Sequence, residues 1–459
     1  MPSLSSDTQK KGVSPIAEFY RGKNVFITGA TGFIGKVLVE KLLRSCSGVK
    51  NIYVLVRAKK GKEPCQRVEE LLNAKIFEQI RTDNPTCLSR VIPIAGDITL
   101  PDLGINNADR ATLIENVSIV FHSAATVRFE EPLKKAVDMN ILGTRRIIQL
   151  CHKMPLLEAL IHVSTAYCNC NQKEIDEIVY PAPVDPQKLI DTVTWMNESL
   201  VDDITPQLLG DKPNTYTFTK ALAETLLVEE CGSLPVAIVR PSIVTGAWNE
   251  PLIGWADNFN GPAGMIVATG KGMLRSMMCE SSKISDLIPV DIVINLMITV
   301  AWHTSIHRHN ELKVYNCTSG SLNPVKWKAW VMYVLPALKK YPSGQIFRSP
   351  GGTFKTNHQW NSICQFFQHH IPAHAMDILA KLSGQKPKMV WLYSKIHRAV
   401  NSLEYFTMRE WIFHCNNVLN LSHQQIGQDK EEILDQPDCQ FHIDTILIET
   451  GLYPLSHCP

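Results

Sequence analysis

The sequence predicts an α/β fold, a doubly wound parallel sheet followed by a smaller, mostly helical C-terminal domain. Three observations carry this expectation. Through roughly the first 250 residues, short and nearly continuous apolar runs alternate with amphipathic stretches, the pattern of strands buried on both faces and separated by helices. The first apolar run leads directly into a glycine-rich turn, Thr28-Gly29-Ala30-Thr31-Gly32-Phe33-Ile34-Gly35. Past about Ser349 the strand pattern gives way to helical periodicity.

Taken in order, residues 1–20 are polar and read as a tail. Asn24–Ala30 is a short apolar strand, and Lys36–Cys46 carries leucine and valine at helical spacing. Asn51–Arg57 is the next strand, followed by the helical VEELLNAKIFEQI. Further strands are expected at Arg90–Asp97, Ser118–Ala125, Ala159–Tyr167 and Pro235–Pro241. From Gly254 to about Ser349 glycine and proline interrupt the pattern, and Tyr341–Phe354 has the composition of a linker. The expected organisation is a dinucleotide-binding domain over 21–345, with interleaved substrate-binding segments, and a helical domain over 355–459 broken at Gly384–Pro387.

Composition narrows the class. A chain of 459 residues, 45% hydrophobic and 20% charged, suits a globular enzyme of more than one domain. A formal net charge of +2 argues against a dedicated nucleic-acid binder. Thirteen cysteines without regular spacing read as reduced thiols rather than a disulfide framework. The polar N-terminus lacks the apolar core of a signal peptide, so the expectation is a chain that is not secreted. Leu287–Trp302 is the longest apolar stretch; it is shorter than the ~20 residues of a spanning helix, contains Asp291, and is expected to be a buried helix.

The turn after the first strand has the spacing that a pyrophosphate requires. Its glycines permit a tight bend, close backbone approach and close helix packing, and the helix that follows offers free amides and its positive end. Where a 2′-hydroxyl reader would place an acid at the end of the second strand, this chain has Arg57, followed by Lys59 and Lys60. Cations there favour the 2′-phosphate of NADPH; the plainer alternative is an arginine capping the strand in solvent. Asp97 and Ile98 follow the third strand, and Ser123, Ala124 and Ala125 end the fourth, where ligands of such sheets lie. An ordinary turn explains Asp97 equally well.

A second constellation supplies chemistry. Tyr216 and Lys220 are spaced to share one face of a helix that opens at Asn214. A nearby ammonium is expected to lower the phenol pKa from its usual ~10, which would make Tyr216 a usable acid or base. Upstream, Ser164 and Thr165 end a strand, where a hydroxyl can meet a reacting carbonyl.

These segments carry a resemblance. TGATGFIG, the strand-end STAY, YTFTK and IVRPSIV resemble extended short-chain dehydrogenases, whose dinucleotide domain is of Rossmann type. KVLVEKLLRSC, NIYVLVRAKKG, GDITLPDLGI, HVSTAYCN, GPAGMIVATGKGMLR, LIPVDIVINLMI and LEYFTMREWIF are together similar to alcohol-forming fatty acyl-CoA reductases, of an insect-like kind. The resemblance implies two NADPH-dependent reductions of a long-chain acyl-CoA, through an aldehyde, to a fatty alcohol in lipid, wax or pheromone synthesis. It implies Tyr216 as proton donor, Lys220 as its orienting partner on the nicotinamide ribose, and Thr165, with Ser164, at the oxyanion. Thr28, Arg240, Pro241 and Ile243 join the cofactor set, Arg240 and Pro241 beside the nicotinamide and phosphates. Asn140 matches a family asparagine, and a structural helix role fits it as well. An apolar tunnel is expected between Gly254–Val267 and the C-terminal helices.

Many members of that family end in a membrane segment, whereas this sequence finishes with the polar QDKEEILDQPDCQ and its continuation. Lys381, Lys386, Lys388, Lys395 and Arg398, interleaved with Met389, Val390, Trp391 and Leu392, suit peripheral membrane contact or, equally, a solvated helix face. The expected location is the cytoplasmic side, peripheral on endoplasmic reticulum or peroxisome. His303 and His307 are four apart, but nothing nearby completes a metal set. Two other functions share these motifs: a nucleotide-sugar epimerase or dehydratase, which would retain NAD tightly, and a non-catalytic NADP-binding lipid protein. Chain-length preference and oligomeric state are not legible in the sequence.

Overall fold

The computed structural model describes residues 14–424 apart from 60, 308–310 and 345, so Lys60, most of the expected tail and residues 425–459 lie outside it. Seven parallel strands form the central sheet: β1 (Asn24–Thr28), β2 (Asn51–Val56), β3 (Val91–Ala95), β4 (Ile119–His122), β5 (Ala159–Val163), β6 (Val236–Pro241) and β7 (Lys313–Cys317). Their order across the sheet is β7-β6-β5-β4-β1-β2-β3. The chain reverses direction between β1 and β4, which opens a crevice at the carboxyl ends of those strands. Successive residues serve opposite faces: Val25, Ile27, Val54 and Phe121 enter one apolar core, and Phe26, Tyr53, Leu55 and Val120 the other. Both faces are therefore dry, which is why these strands read as unbroken apolar runs.

Four helices matter below: α1 (Phe33–Ser45), α2 (Thr215–Glu230), α3 (Val290–His307) and α4 (Met389–Thr407). The apolar stretch expected to be a buried helix is α3, with Val293, Ile294, Leu296, Met297 and Val300 in the core. By length and apolar composition it would pass for a spanning helix, and 72% of it is buried inside the protein. Residues 15–20 depart from the tail expectation. Pro15–Phe19 is a one-turn helix capped by Ser14, and the buried Tyr20 donates its hydroxyl to the Ile298 carbonyl of α3 at 3.0 Å.

Two expected strands stop short. The Ser118–Ala125 run leaves the ladder after His122, and the Ala159–Tyr167 run leaves it after Val163, because the Thr165 side chain accepts from the Tyr167 amide and starts a short 3-10 turn there. The seventh strand, β7, falls in the segment that reads as irregular. Lys313 and Asn316 hide it, and it pairs on one side only, with β6.

The C-terminal segment is stitched back onto the first by parallel pairs, Thr353–Lys355 with Ser276–Met278 and Ile412–Phe413 with Glu174–Ile175. Between these pairs a continuous helical run spans 358–382, with a π turn at Phe366–His370. It is followed by a reversal at Gly384, in the left-handed region, and then by α4. The eleven described cysteines are free thiols.

Candidate active site

The crevice at β1 is shaped by two glycines. Gly29 has φ +78°, and a Cβ there would meet the Ala124 nitrogen and the Ser123 hydroxyl at 2.8 Å. At Gly35 a Cβ would stand 2.3 Å from the Gly29 carbonyl oxygen. The turn thus lets α1 start hard against β1, with Ser123 and Ala124 directly alongside. Ser123 donates to the Thr28 carbonyl at 2.9 Å, and the Ala124 amide donates to the Thr28 hydroxyl at 3.2 Å. Gly32 is the N-cap of α1 and brings no side-chain cap, which leaves the first-turn amides of Phe33 and Ile34 for an anion. These residues fit a dinucleotide pyrophosphate.

The second strand end holds more positive charge than the sequence showed. Arg57 is half-exposed and pairs with Asp97 at 3.2 Å. Arg67, which no motif singles out, donates to the Arg57 carbonyl at 2.7 Å and to the Thr31 hydroxyl at 3.2 Å. Burial and the neighbouring Arg57 both hold its pKa below the usual arginine value. Two guanidiniums therefore flank the glycine turn. Asp97 is occupied on its other oxygen by the Thr99 amide and hydroxyl. Ile98 turns its side chain into the core against Gly143.

The second cluster forms where β5 ends against the first turns of α2. Asn214 caps α2 by accepting from the Thr217 amide at 2.9 Å, which fixes Tyr216 and Lys220 on the inner face. Tyr216, partly buried, stands beside the Thr165 side chain, which acts to lower its phenol's pKa. Lys220 donates to the Val163 carbonyl at 2.7 Å. Ser164 between them has a buried hydroxyl with no hydrogen-bond partner among the described residues.

The electrostatics overturn one expectation. Burial pushes the Tyr216 phenol up to about 12, against the lowering effect of Thr165 and with a further rise from Cys168. Lys220 does not pull it down: its ammonium is committed to Val163, and burial lowers it to about 8, with Glu224 and Cys168 acting the other way. Desolvation sets the direction here. A phenol that stays protonated at neutral pH is a proton donor, which is what a reduction consumes.

Arg240 is also corrected. Rather than lying beside nicotinamide and phosphates, its fully buried guanidinium clamps Glu224 at 2.9 and 2.6 Å and donates to the carbonyls of Asp176 and Ile178. A charge that deep survives only when paired. Pro241 closes β6 opposite Cys317, and Ile243 packs against the aromatic cluster of Tyr167 and Phe406. Asn140, on a π turn, holds the Thr126 amide and the Thr219 hydroxyl at 2.9 Å each, so it braces α2 one residue from Lys220.

Three further groups escaped sequence reasoning. Phe129 stacks on the Tyr216 ring, with centroids 5.9 Å apart, and on its other side meets Phe406 of α4 at 5.3 Å. His122 lies between the Thr28 and Thr144 hydroxyls and is held neutral by burial, its pKa lowered to about 3. His162 sits beside it, 5.3 Å between ring centroids. A small, partly open pocket is lined by Thr269, Leu274, Met277, Trp330 and Phe354 among others, and by none of the residues of either cluster. His307 contacts the His303 carbonyl, and His303 the Tyr315 hydroxyl.

The sheet order, the glycine turn and the Tyr-Lys pair define an oxidoreductase domain of extended short-chain dehydrogenase type. A family model described as Male sterility protein, of NAD-binding kind, matches residues 27–297, and a second of the same description matches residues 368–444. The chain is 48% identical to fatty acyl-CoA reductase 1 of Xenopus laevis over 91% of its length and 81% of that protein. It is 45% identical to fatty acyl-CoA reductase 1 of Homo sapiens, over 96% and 84%, and 44% identical to fatty acyl-CoA reductase 2 of Bos taurus, over 91% and 81%. The chain belongs to the fatty acyl-CoA reductase family. In fold it resembles the terminal reductase domain of the myxalamid biosynthetic pathway, with TM-score 0.60 and 21% identity over 94% of this chain and 90% of that one. It also resembles the reductase domain of a nonribosomal peptide synthetase from Mycobacterium tuberculosis, with TM-score 0.60 and 18% identity over 95% and 93%.

Proposed function

We propose that the chain reduces long-chain fatty acyl-CoA to the fatty alcohol in two steps through an aldehyde, with NADPH as the reductant. The observation that carries this is the placing of Tyr216 and Lys220, on the first turns of α2, against the end of β5 and Thr165. The nicotinamide supplies the hydride; the protein supplies place and charge. In the first reduction Tyr216 and Thr165 hold the oxygen of the thioester carbonyl as it becomes an oxyanion, with Ser164 a third donor. Coenzyme A leaves and an aldehyde remains. In the second reduction the Tyr216 phenol gives its proton to the aldehyde oxygen, and the product is the alcohol. Arg57 and Arg67 would hold a 2′-phosphate, which is the support for NADPH over NADH. Free thiols throughout the described chain support a place on the reducing, cytoplasmic side.

The test is incubation of the protein with NADPH and hexadecanoyl-CoA beside a Tyr216→Phe variant, with mass analysis of extracted lipids. Hexadecanol from the wild type, with at least about a hundredfold loss in the variant, is the expected result. Aldehyde without alcohol would overturn the two-step reading, and equal turnover by the variant would remove Tyr216 from the chemistry.

A further inference from the structure

The helical run 358–382 is built inside out. Facing the protein it turns polar groups. Asn361 accepts from the Ser276 hydroxyl at 2.7 Å, and the buried His369 accepts from the Arg275 amide at 2.9 Å while its other nitrogen meets His397 at 2.8 Å. Facing outward it carries Trp360, Ile363, Phe367, Ile371, Ile378 and Leu382, all exposed. Ile371, Ile378 and Leu382, spaced seven and four apart on the uninterrupted helix Ile371–Leu382, form one stripe, and Trp360, Ile363 and Phe367 are exposed on the turns before it. Leu379 widens it, and exposure rises to 80% at Leu382, beside the reversal into α4. Apolar side chains scattered singly on a surface mean little, whereas a contiguous stripe marks a contact.

The charge around the stripe identifies what it meets. From Ile371 to Lys395 there are four lysines (Lys381, Lys386, Lys388 and Lys395) and one acid, Asp377. Asp377 is spent: it accepts from the amides of Lys388, Met389 and Val390 at 2.9, 2.8 and 3.0 Å and caps α4. Lys395 lies over the exposed Trp391 ring at 3.8 Å. Apolar side chains at the tip, an indole beside them and uncompensated lysines around the reversal are what an anionic bilayer surface selects. We infer that the 358–395 hairpin docks the protein on an anionic lipid surface, with Leu379 and Leu382 inserted and Lys386 and Lys388 at the headgroups. The docking stands independently of the reaction the site performs.

The experiment uses the full chain and sedimentation with phosphatidylcholine vesicles, with and without phosphatidylserine. Binding should require phosphatidylserine and weaken with salt. Leu379→Glu with Leu382→Glu should lower partitioning at least about tenfold, from the transfer free energy of the two leucines. Lys386→Gln with Lys388→Gln should lower it with phosphatidylserine vesicles. All four positions are exposed, so melting curves of the variants should match the wild type. Absence of vesicle binding, or binding that the paired glutamates leave unchanged, overturns the inference. In that event, a dimer in sedimentation equilibrium that the glutamates dissociate assigns the stripe to a second copy.

Discussion

Replacing Glu224 with glutamine removes one charge of a buried pair and strands the other. Arg240 and Glu224 have side chains 0% and 1% exposed and meet through two bonds of 2.9 and 2.6 Å. Glutamine keeps the shape and one acceptor but leaves the guanidinium uncompensated, at a cost of about 3–5 kcal/mol. With an unfolding entropy of about 2.1 cal/mol/K per residue, a chain of 459 residues loses about 1 °C of Tm per kcal/mol, so the expected fall is about 3–5 °C by near-ultraviolet circular dichroism. Adding Arg240→Met should recover part of it, because the stranded charge leaves with the partner. The same substitution reaches the reaction. Glu224 lies one turn beyond Lys220 and raises its pKa against burial, so without Glu224 the ammonium is lost at lower pH. Activity that depends on the Lys220 ammonium should fall as pH rises through about 8 in the wild type, and in Glu224→Gln that descending limb should move to lower pH. A variant that melts within about 1 °C of the wild type and keeps its pH limb would refute the reasoning on both counts.

Arg57→Ala removes a half-exposed charge that no core contact needs. It should raise KM for NADPH roughly tenfold or more, the worth of one charge-assisted hydrogen bond, and leave KM for NADH nearly unchanged; equal effects on both would show that the arginine reads no 2′-phosphate. Phe406→Ala empties the ring contacts with Phe129 and Tyr167. It should cost about 3–5 kcal/mol of stability and lower kcat while KM for the cofactor holds, and an unchanged kcat would detach Phe406 from the placement of Tyr216.

What could be read in advance was what local chemistry fixes. The glycine turn was legible because a Cβ at Gly29 or Gly35 has no room, and six of the sheet's strands because both of their faces are buried. Tyr216 and Lys220 were legible from spacing on one helix. The rest depends on who meets whom across the chain. The direction of the Tyr216 shift is set by burial, which spacing cannot report. Arg67 joins the glycine turn only because its helix returns it to Thr31. Arg240 has the sequence context of a ligand-contacting strand end, yet Glu224 faces it from α2 and claims it. Strand β7 went unseen because an edge strand with one partner tolerates the polar residues that Lys313 and Asn316 place in it.

The position of the phenol is over-determined from four directions, and this explains why one tyrosine needs so much of the chain. Asn214 sets the start of α2, and Asn140 holds Thr219 one residue before Lys220. Thr165 comes beside the phenol because β5 ends two residues earlier. From the fourth side comes a ladder of rings: Trp411 on Tyr167, Tyr167 on Phe406, Phe406 on Phe129, and Phe129 on Tyr216. Trp411 and Tyr405 are in turn tied to the Cys170 carbonyl at 2.9 and 3.1 Å. The C-terminal segment is therefore part of the wall that sets the Tyr216 ring plane. A proton donor must stand within hydrogen-bond reach of its acceptor, and a ring free to tilt would lose that reach. A chain folded only as far as β7 would keep the glycine turn and lose the ring ladder that packs on the Tyr216 phenol.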